Sequence, residues 1–298
     1  MKNKSKLVSI ILNCYNGSSF LKEALTSIKN QTYKNWEVIF WDNQSSDNSK
    51  DILKSFRNKK FRYFLSKKHT SLYAARNLAI RKAKGKYISF LDCDDTWEKN
   101  KLERQLKLFE DKRVAVVYGN SWLKNEKSKK YKKFINYRMK EGYIYNELLQ
   151  NYNVGILTAV IKKDFLPKKI EIFNSKYNII GDFDLFIKIS KKYKFRVIQD
   201  PVATYRIHEN NLSTVRKNTE IKELEHWLKK NKVKLKKTNY NSIKNRLIIS
   251  KYINLKLTGN FLNTLLFFLK SKNLDNILKN LFILLLPKIV LKKIMWFY

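Results

Sequence analysis

Asp92, Asp94 and Asp95 put three carboxylates into four positions directly after the apolar run Ile88-Ser-Phe-Leu91. Strand alternation aims Asp92 and Asp94 to the same side. Carboxylates held this close repel one another unless a cation is shared between them. Mg²⁺ and Mn²⁺ are hard ions that take one or two carboxylates together with substrate phosphates. The carboxyl end of a strand is also where open α/β sheets bind ligands. The segment therefore fits a metal–diphosphate site. It fits equally a turn whose solvated acids cap the next helix.

Other residue types at strand or helix ends could join that chemistry, and each has an ordinary alternative. Asp42 closes a second apolar run, yet Asp42-Asn-Gln-Ser45 is also good turn chemistry. Arg76 interrupts an apolar helix face and could simply pair with an acid. Asp182 and Asp184 open a predicted helix, where acids suit the helix dipole. His208, after the last predicted strand, could be a plain surface histidine. In a parallel sheet the carboxyl ends of strands share one edge, so acids distant in sequence would converge there.

The elements needed to position them are readable. Residues 7–12 form a near-continuous apolar run, the mark of a strand buried on both faces. After the polar turn 13–17, Phe20, Leu21, Ala24, Leu25 and Ile28 recur at helical spacing, with Ser18 or Ser19 available as N-cap. Strands are expected at 36–41, 61–65, 87–91, 114–118, 195–198 and 202–207, and helices at 47–56, 72–83 and 182–192. This alternation predicts a doubly wound, mostly parallel sheet flanked by helices. Residues 124–133 read as an exposed basic loop, and 143–161 carry no clear period. Strand signals end near residue 218, so the chain divides into residues 1–218 and a helical extension, 219–298.

The chain has 298 residues, 44% of them hydrophobic, with seven Gly and three Pro, enough for a full core plus an appendage. A net charge of +38 admits a polyanionic partner, an anionic membrane surface, or merely the Lys-, Asn- and Ile-rich composition of an AT-rich genome. Cys14 and Cys93 lack metal-site spacing and suit a reducing cytosolic compartment. No signal-peptide pattern follows Met1, and no apolar run reaches the roughly 18 residues of a membrane span.

Taken together the segments resemble glycosyltransferase family 2, whose members have the GT-A nucleotide-sugar fold. The resemblance rests on Val8-Ser-Ile-Ile-Leu-Asn-Cys-Tyr-Asn16, Ser27-Ile-Lys-Asn-Gln-Thr-Tyr33, Trp36 through Ser49, Ala75-Arg-Asn77 and Gly85 through Asp95. Downstream, Gly181-Asp-Phe-Asp-Leu185 and Tyr205 through Ser213 also match, so the likeness covers about residues 6–215. It implies an enzyme that transfers a sugar from a UDP- or dTDP-sugar to a hydroxyl of a glycan or lipid-linked acceptor, with a divalent metal as cofactor. By the resemblance, Tyr15 and Asn16 line the nucleobase pocket, Asp42 accepts a hydrogen bond from the pyrimidine, and Arg76 helps hold the nucleotide. Asp92 touches the ribose, Asp94 ligates Mn²⁺ or Mg²⁺, and His208 reaches the diphosphate or metal. Asp182 matches the general base, which implies inversion at the anomeric carbon.

Two departures qualify the match. The family has Glu before that Asp, whereas Gly181 stands here, which leaves Asp182 and Asp184 both open as the base. The Gln-x-x-Arg-Trp element of processive synthases is absent from 205–240, so one sugar per visit is expected. Two other functions stay open on composition: a basic nucleic-acid-binding protein, although no recognition motif is present and nucleic acid is not expected as a partner, and a transferase fold without activity.

Residues 229–298 hold sixteen Lys or Arg against one acid, Asp275. Apolar clusters at 261–269 and 274–298 follow helical spacing, with Trp296, Phe297 and Tyr298 last. A cationic amphipathic helix with aromatics suits the plane of an anionic bilayer. The extension is therefore expected to place the enzyme peripherally on the inner face of the cytoplasmic membrane; a helical cap or dimer contact is the plainer alternative.

Overall fold

Four apolar runs become the parallel half of one sheet. β1 (Val8–Cys14), β2 (Trp36–Asp42), β3 (Phe61–Leu65) and β4 (Tyr87–Phe90) lie in the order β3-β2-β1-β4. β1 and β2 are buried at every position, which is why their sequences run apolar instead of alternating. Helices α1 (Ser18–Lys29), α2 (Ser49–Ser55) and α3 (Leu72–Arg81) connect them. α1 buries Leu21, Ala24, Leu25 and Ile28, the residues its period marks. Its N-cap is Gly17, and the Ser18 N–H is satisfied by the Asp47 carboxylate at 2.8 Å, from the loop after β2. The structure is a computed structural model, and it describes residues 6–167 and 171–259.

The other half of the sheet departs from the parallel expectation. β5 (Thr96–Trp97), β6 (Val114–Asn125), β7 (Tyr131–Lys133), β8 (Val160–Lys162) and β9 (Lys194–Ile207) extend the order to β3-β2-β1-β4-β8-β6-β9-β5, with β7 on the outside of β6. β6 and β9 are parallel, but β8 runs antiparallel to β4 and β6, as do β5 to β9 and β7 to β6. Short antiparallel strands carry too little sequence to show a period. The two strands expected at 195–198 and 202–207 are one strand, β9. Its register against β6 shifts beside Pro201, where a bulge accommodates the missing N–H. Residues 124–133 are a hairpin and not a loop: Leu123 pairs with Lys132 and Lys124 with Tyr131. Cys93 lies in the turn beyond β4.

Helices α4 (Lys101–Lys107), α5 (Tyr145–Gln150) and α6 (Gly181–Ser190) complete the first compact unit, which ends at Asn211. The second unit starts at Leu212 and contains α7 (Leu212–Val215), α8 (Lys217–Asn231) and α9 (Lys237–Thr258). α8 buries Ile221, Leu224, Trp227 and Leu228, and α9 buries Ile243, Leu247 and Tyr252. The apolar clusters at 261–269 and 274–298 lie outside the described residues. Among the described residues no helix is long and apolar enough to cross a membrane.

Candidate active site

The carboxyl ends of β1, β2 and β4 form one edge, and Asp42, Asp92 and Asp94 follow the strands that make it. Asp42 is the last residue of β2, in register with Cys14 of β1. It is buried, and both of its oxygens are engaged: Oδ1 accepts the Ser45 N–H at 2.7 Å and Oδ2 the Tyr63 hydroxyl at 2.8 Å. Tyr15 and Asn16 follow β1. Asn16, at φ 51°, turns its Oδ1 to the Ser46 N–H at 2.8 Å, joining the β1 and β2 loops. Tyr15 is 54% exposed and packs on His69, with ring centroids 4.3 Å apart. Gly17 sits where a Cβ would come within 2.6 Å of Cys93 Sγ and 3.0 Å of Cys14 Sγ, so only glycine lets this loop close over the thiols.

Past β4, the acids of 92–95 do not act alike. Asp92 pairs with Arg76 at 2.7 Å, and Arg76, 3% exposed, lies between the rings of Tyr73 and Phe90. Asp94 Oδ2 meets His208 Nε2 at 2.9 Å. Asp95 is buried, and its Oδ1 accepts the Arg206 N–H at 2.8 Å. That bond ties the turn after β4 to β9.

Asp182, in the first turn of α6, is within 3.2 Å of the Tyr73 hydroxyl. Tyr73 and Arg76 stand one turn apart on α3, so Asp182, Tyr73, Arg76 and Asp92 are linked by successive contacts. Asp184, the other open candidate, is buried and ion-paired with Lys188 one turn along α6, which removes it from the cluster. Gly181 has a packing reason: a Cβ there would fall 2.7 Å from the Tyr73 ring carbons.

Arg206, within the 205–213 segment, is the fastener of this edge. Its Nε donates to Asp94 O at 2.8 Å, and its terminal nitrogens pair with Glu126 and Glu23, each at 2.6 Å. Its guanidinium also covers the Phe20 ring at 4.4 Å. Tyr63, His69 and Tyr73 were missed altogether. Only Tyr73 had a signal, its i,i+3 spacing from Arg76.

A family model described as glycosyl transferase family 2 matches residues 9–181. The chain belongs to this family. An Escherichia coli relative named UDP-Glc:alpha-D-GlcNAc-diphosphoundecaprenol beta-1,3-glucosyltransferase WfgD is 30% identical over 210 residues, covering 70% of this chain and 80% of that protein. An uncharacterized glycosyltransferase of Methanocaldococcus jannaschii is 31% identical over 222 residues, covering 71% of this chain and 75% of that one. Among solved structures, S. aureus TarS 1–349 in complex with UDP-GlcNAc gives a TM-score of 0.61 at 17% identity, over 90% of this chain and 77% of TarS. The mannosyltransferase PcManGT from Pyrobaculum calidifontis, with GDP-Man and Mn²⁺, gives 0.61 at 18% identity, over 82% of this chain and 70% of that one. These two likenesses establish the GT-A fold of this glycosyltransferase.

The electrostatics of this cluster follow from crowding. Burial, then the neighbouring Asp92 charge, raise the Asp94 carboxyl above its ordinary range, with the His208 contact opposing them. Burial raises Asp182 as well, opposed first by the Arg76 charge and then by hydrogen bonds from the Phe183 N–H and Tyr73. Burial works against the Arg76 charge, but Asp92, Tyr73 and Asp182 together raise its pKa above the ordinary value. As for a metal, Asp94 and His208 form a two-donor set of carboxylate and imidazole, and among the described residues no cluster of three ligating side chains exists. Two protein donors fit an ion that draws its remaining ligands from substrate phosphates and water.

Proposed function

We propose that this glycosyltransferase is metal-dependent, inverting and non-processive, moving a sugar from a UDP-sugar (dTDP as second choice) to a hydroxyl of a glycan or lipid-linked acceptor. The observation that carries the reading is the run of contacts from Asp182 through Tyr73, Arg76 and Asp92 to the Asp94–His208 pair, 2.9 Å apart, along one sheet edge. In this reading Tyr15, Asn16 and Asp42 receive the base, Arg76 and Asp92 the ribose, and Asp94 with His208 the divalent ion. That ion, when bound, neutralises the leaving nucleoside diphosphate. Asp182 takes the acceptor hydroxyl's proton as the oxygen attacks, and burial, which raises its pKa, makes it a stronger base than an exposed carboxylate. A single attack opposite the leaving group inverts the anomeric centre.

The UDP-Glc and diphosphoundecaprenol in the relative's name favour a UDP-linked hexose and a lipid-diphosphate acceptor. An acceptor of that kind sits at a membrane, and the basic segment 219–298, with sixteen Lys or Arg after residue 228, supplies the matching charge for peripheral docking on the cytoplasmic leaflet. Asp182→Asn tests the assignment. Transfer should fall about 10²- to 10⁴-fold while UDP-sugar binding persists, and proton NMR of the first product should show the inverted anomer. Full transfer by Asp182→Asn, or a retained anomer, removes Asp182 as the base.

A further inference from the structure

Both cysteines of the chain stand outside the roles given above, and the fold brings them together. Cys14 ends β1 and is 1% exposed, while Cys93 is half-buried in the turn after β4. Val8, Ile10, Leu12 and Cys14 belong to one core cluster on one face of β1, and Cys93 packs against that same cluster. The Leu91 N–H donates to the Ile11 carbonyl at 3.0 Å, so the chain still runs beside β1 two residues before Cys93. Gly17 closes the space: the position of its absent Cβ is 2.6 Å from Cys93 Sγ and 3.0 Å from Cys14 Sγ. Each thiol has the other as a side-chain hydrogen-bond partner, and both are free.

Two features set this pair apart from small side chains filling a core. Neighbouring strands stand about 4.8 Å apart, inside the span of about 4.4–6.8 Å between Cα atoms that a disulfide bridges. β1 and β4 are such neighbours. Cys93 also separates two acids of the site: Asp92, which pairs with Arg76, and Asp94, which meets His208. A covalent bond holds two sulfurs far closer than hydrogen-bonded thiols stand. Closing one here draws Cys93 toward β1 and turns the peptide units that carry Asp92 and Asp94.

We propose that Cys14 and Cys93 are a reversible thiol–disulfide pair, and that the bridged form of this glycosyltransferase is impaired in transfer. On oxidation two S–H bonds break and one S–S bond forms. The two protons and two electrons released reduce the oxidant, a peroxide to two molecules of water or a diazene to its hydrazine. A dithiol reverses the step by exchange and leaves as a cyclic disulfide. In a reducing compartment the pair stays as thiols, and a bridge formed there is transient and redox-sensing. The loss of transfer rests on the proposed site, in which Asp92 holds the ribose and Asp94 the divalent ion; the bridge itself does not. Misplacing such groups by about 1 Å is enough to slow a reaction about 100-fold.

The experiment treats the full-length protein with diamide, a diazene, and then with dithiothreitol. Intact mass, peptide mapping and sugar transfer are followed at each stage. The expected result is a mass lower by two hydrogens, a peptide pair linked through Cys14 and Cys93, and transfer about 10- to 100-fold slower in the bridged protein. Dithiothreitol should restore both mass and rate. Cys14→Ser, treated identically, should show no loss on treatment, and Cys14→Ala gives the same comparison if the serine variant does not fold. Absence of the linked peptides, or a bridge with unchanged transfer, would overturn the proposal. An equal and reversible loss in Cys14→Ser would overturn it too. Reduced enzyme whose transfer ignores EDTA and Mn²⁺ would defeat the proposed metal site instead, and the linked peptides and the bridged protein's rate would still decide the pair.

Discussion

The Tyr73 hydroxyl lies 3.2 Å from Asp182 Oδ1 and 2.7 Å from the carbonyl of Ile179, so one phenol proton serves a carboxylate and the backbone that precedes it. A donor beside a carboxylate favours its ionised form, against the burial that raises Asp182. Tyr73→Phe removes the donor, so the Asp182 pKa should rise further. Transfer should then be lost at a higher pH as the medium is acidified, with kcat falling about ten- to hundredfold and UDP-sugar affinity unchanged. The pH profile of kcat measures this. Superimposable wild-type and variant profiles would reduce Tyr73 to packing.

The Asp94–His208 pair joins residues 114 positions apart through one contact of 2.9 Å. Chelation by EDTA should abolish transfer, and Mn²⁺ or Mg²⁺ should restore it. Asp94→Asn and His208→Ala should each raise the metal concentration for half-maximal rate about 10- to 100-fold, by analogy with lost metal-site interactions. Titrating activity against Mn²⁺ decides the matter, and an Asp94→Asn curve lying on the wild-type curve would exclude it as a ligand.

Arg206 is 3% exposed and holds Glu23, Glu126 and the Asp94 carbonyl at once. Arg206→Met removes the donor to the Asp94 carbonyl and the partner of Glu23, while Glu126 keeps Lys129 and Lys124, so unfolding free energy should fall by about 1–3 kcal/mol. Arg206→Lys should recover only part, because a single ammonium cannot match the fork. Urea denaturation gives the numbers, and a loss below about 1 kcal/mol would mean that the network is not coupled to the fold.

Lys101 is fully buried, with no carboxylate partner among the described residues. Its Nζ reaches Gln105 Oε1 at 2.8 Å and Ser89 Oγ at 3.1 Å and lies 4.1 Å from the Trp97 ring centroid. Burial holds its pKa well below the ordinary lysine value. Between that depressed folded value and about 10.4 the unfolded chain binds the proton and the native chain does not, so stability rises with pH across this window. It declines again as pH falls toward the folded value. Lys101→Met should flatten this slope, as read from unfolding free energy against pH. Parallel slopes in the two proteins would mean that Lys101 titrates normally.

The sequence by itself determined the parallel half of the sheet. Strands buried on both faces run mostly apolar, and 7–12 and 36–41 show it without any coordinates, each with one polar residue, Ser9 and Glu37, that hydrogen-bond to one another. It also named Asp42, Asp92 and Asp94, because the edge of a parallel sheet gathers whatever follows its strands, and Asp182, through the resemblance to the family. Tertiary structure decided what those residues touch. β5, β7 and β8 are too short to carry a period, and the 124–133 hairpin forms by pairing with a strand whose own signal had already faded. Asp184 and Asp182 are equivalent as helix openers, and only Lys188 on one side and Tyr73 on the other separate them. Arg206 looked like one basic residue among 63, until strand register set it between two glutamates and the Asp94 backbone. Period and residue type are local properties of a chain, whereas the partner of a buried charge is chosen by whatever distant segment packs against it.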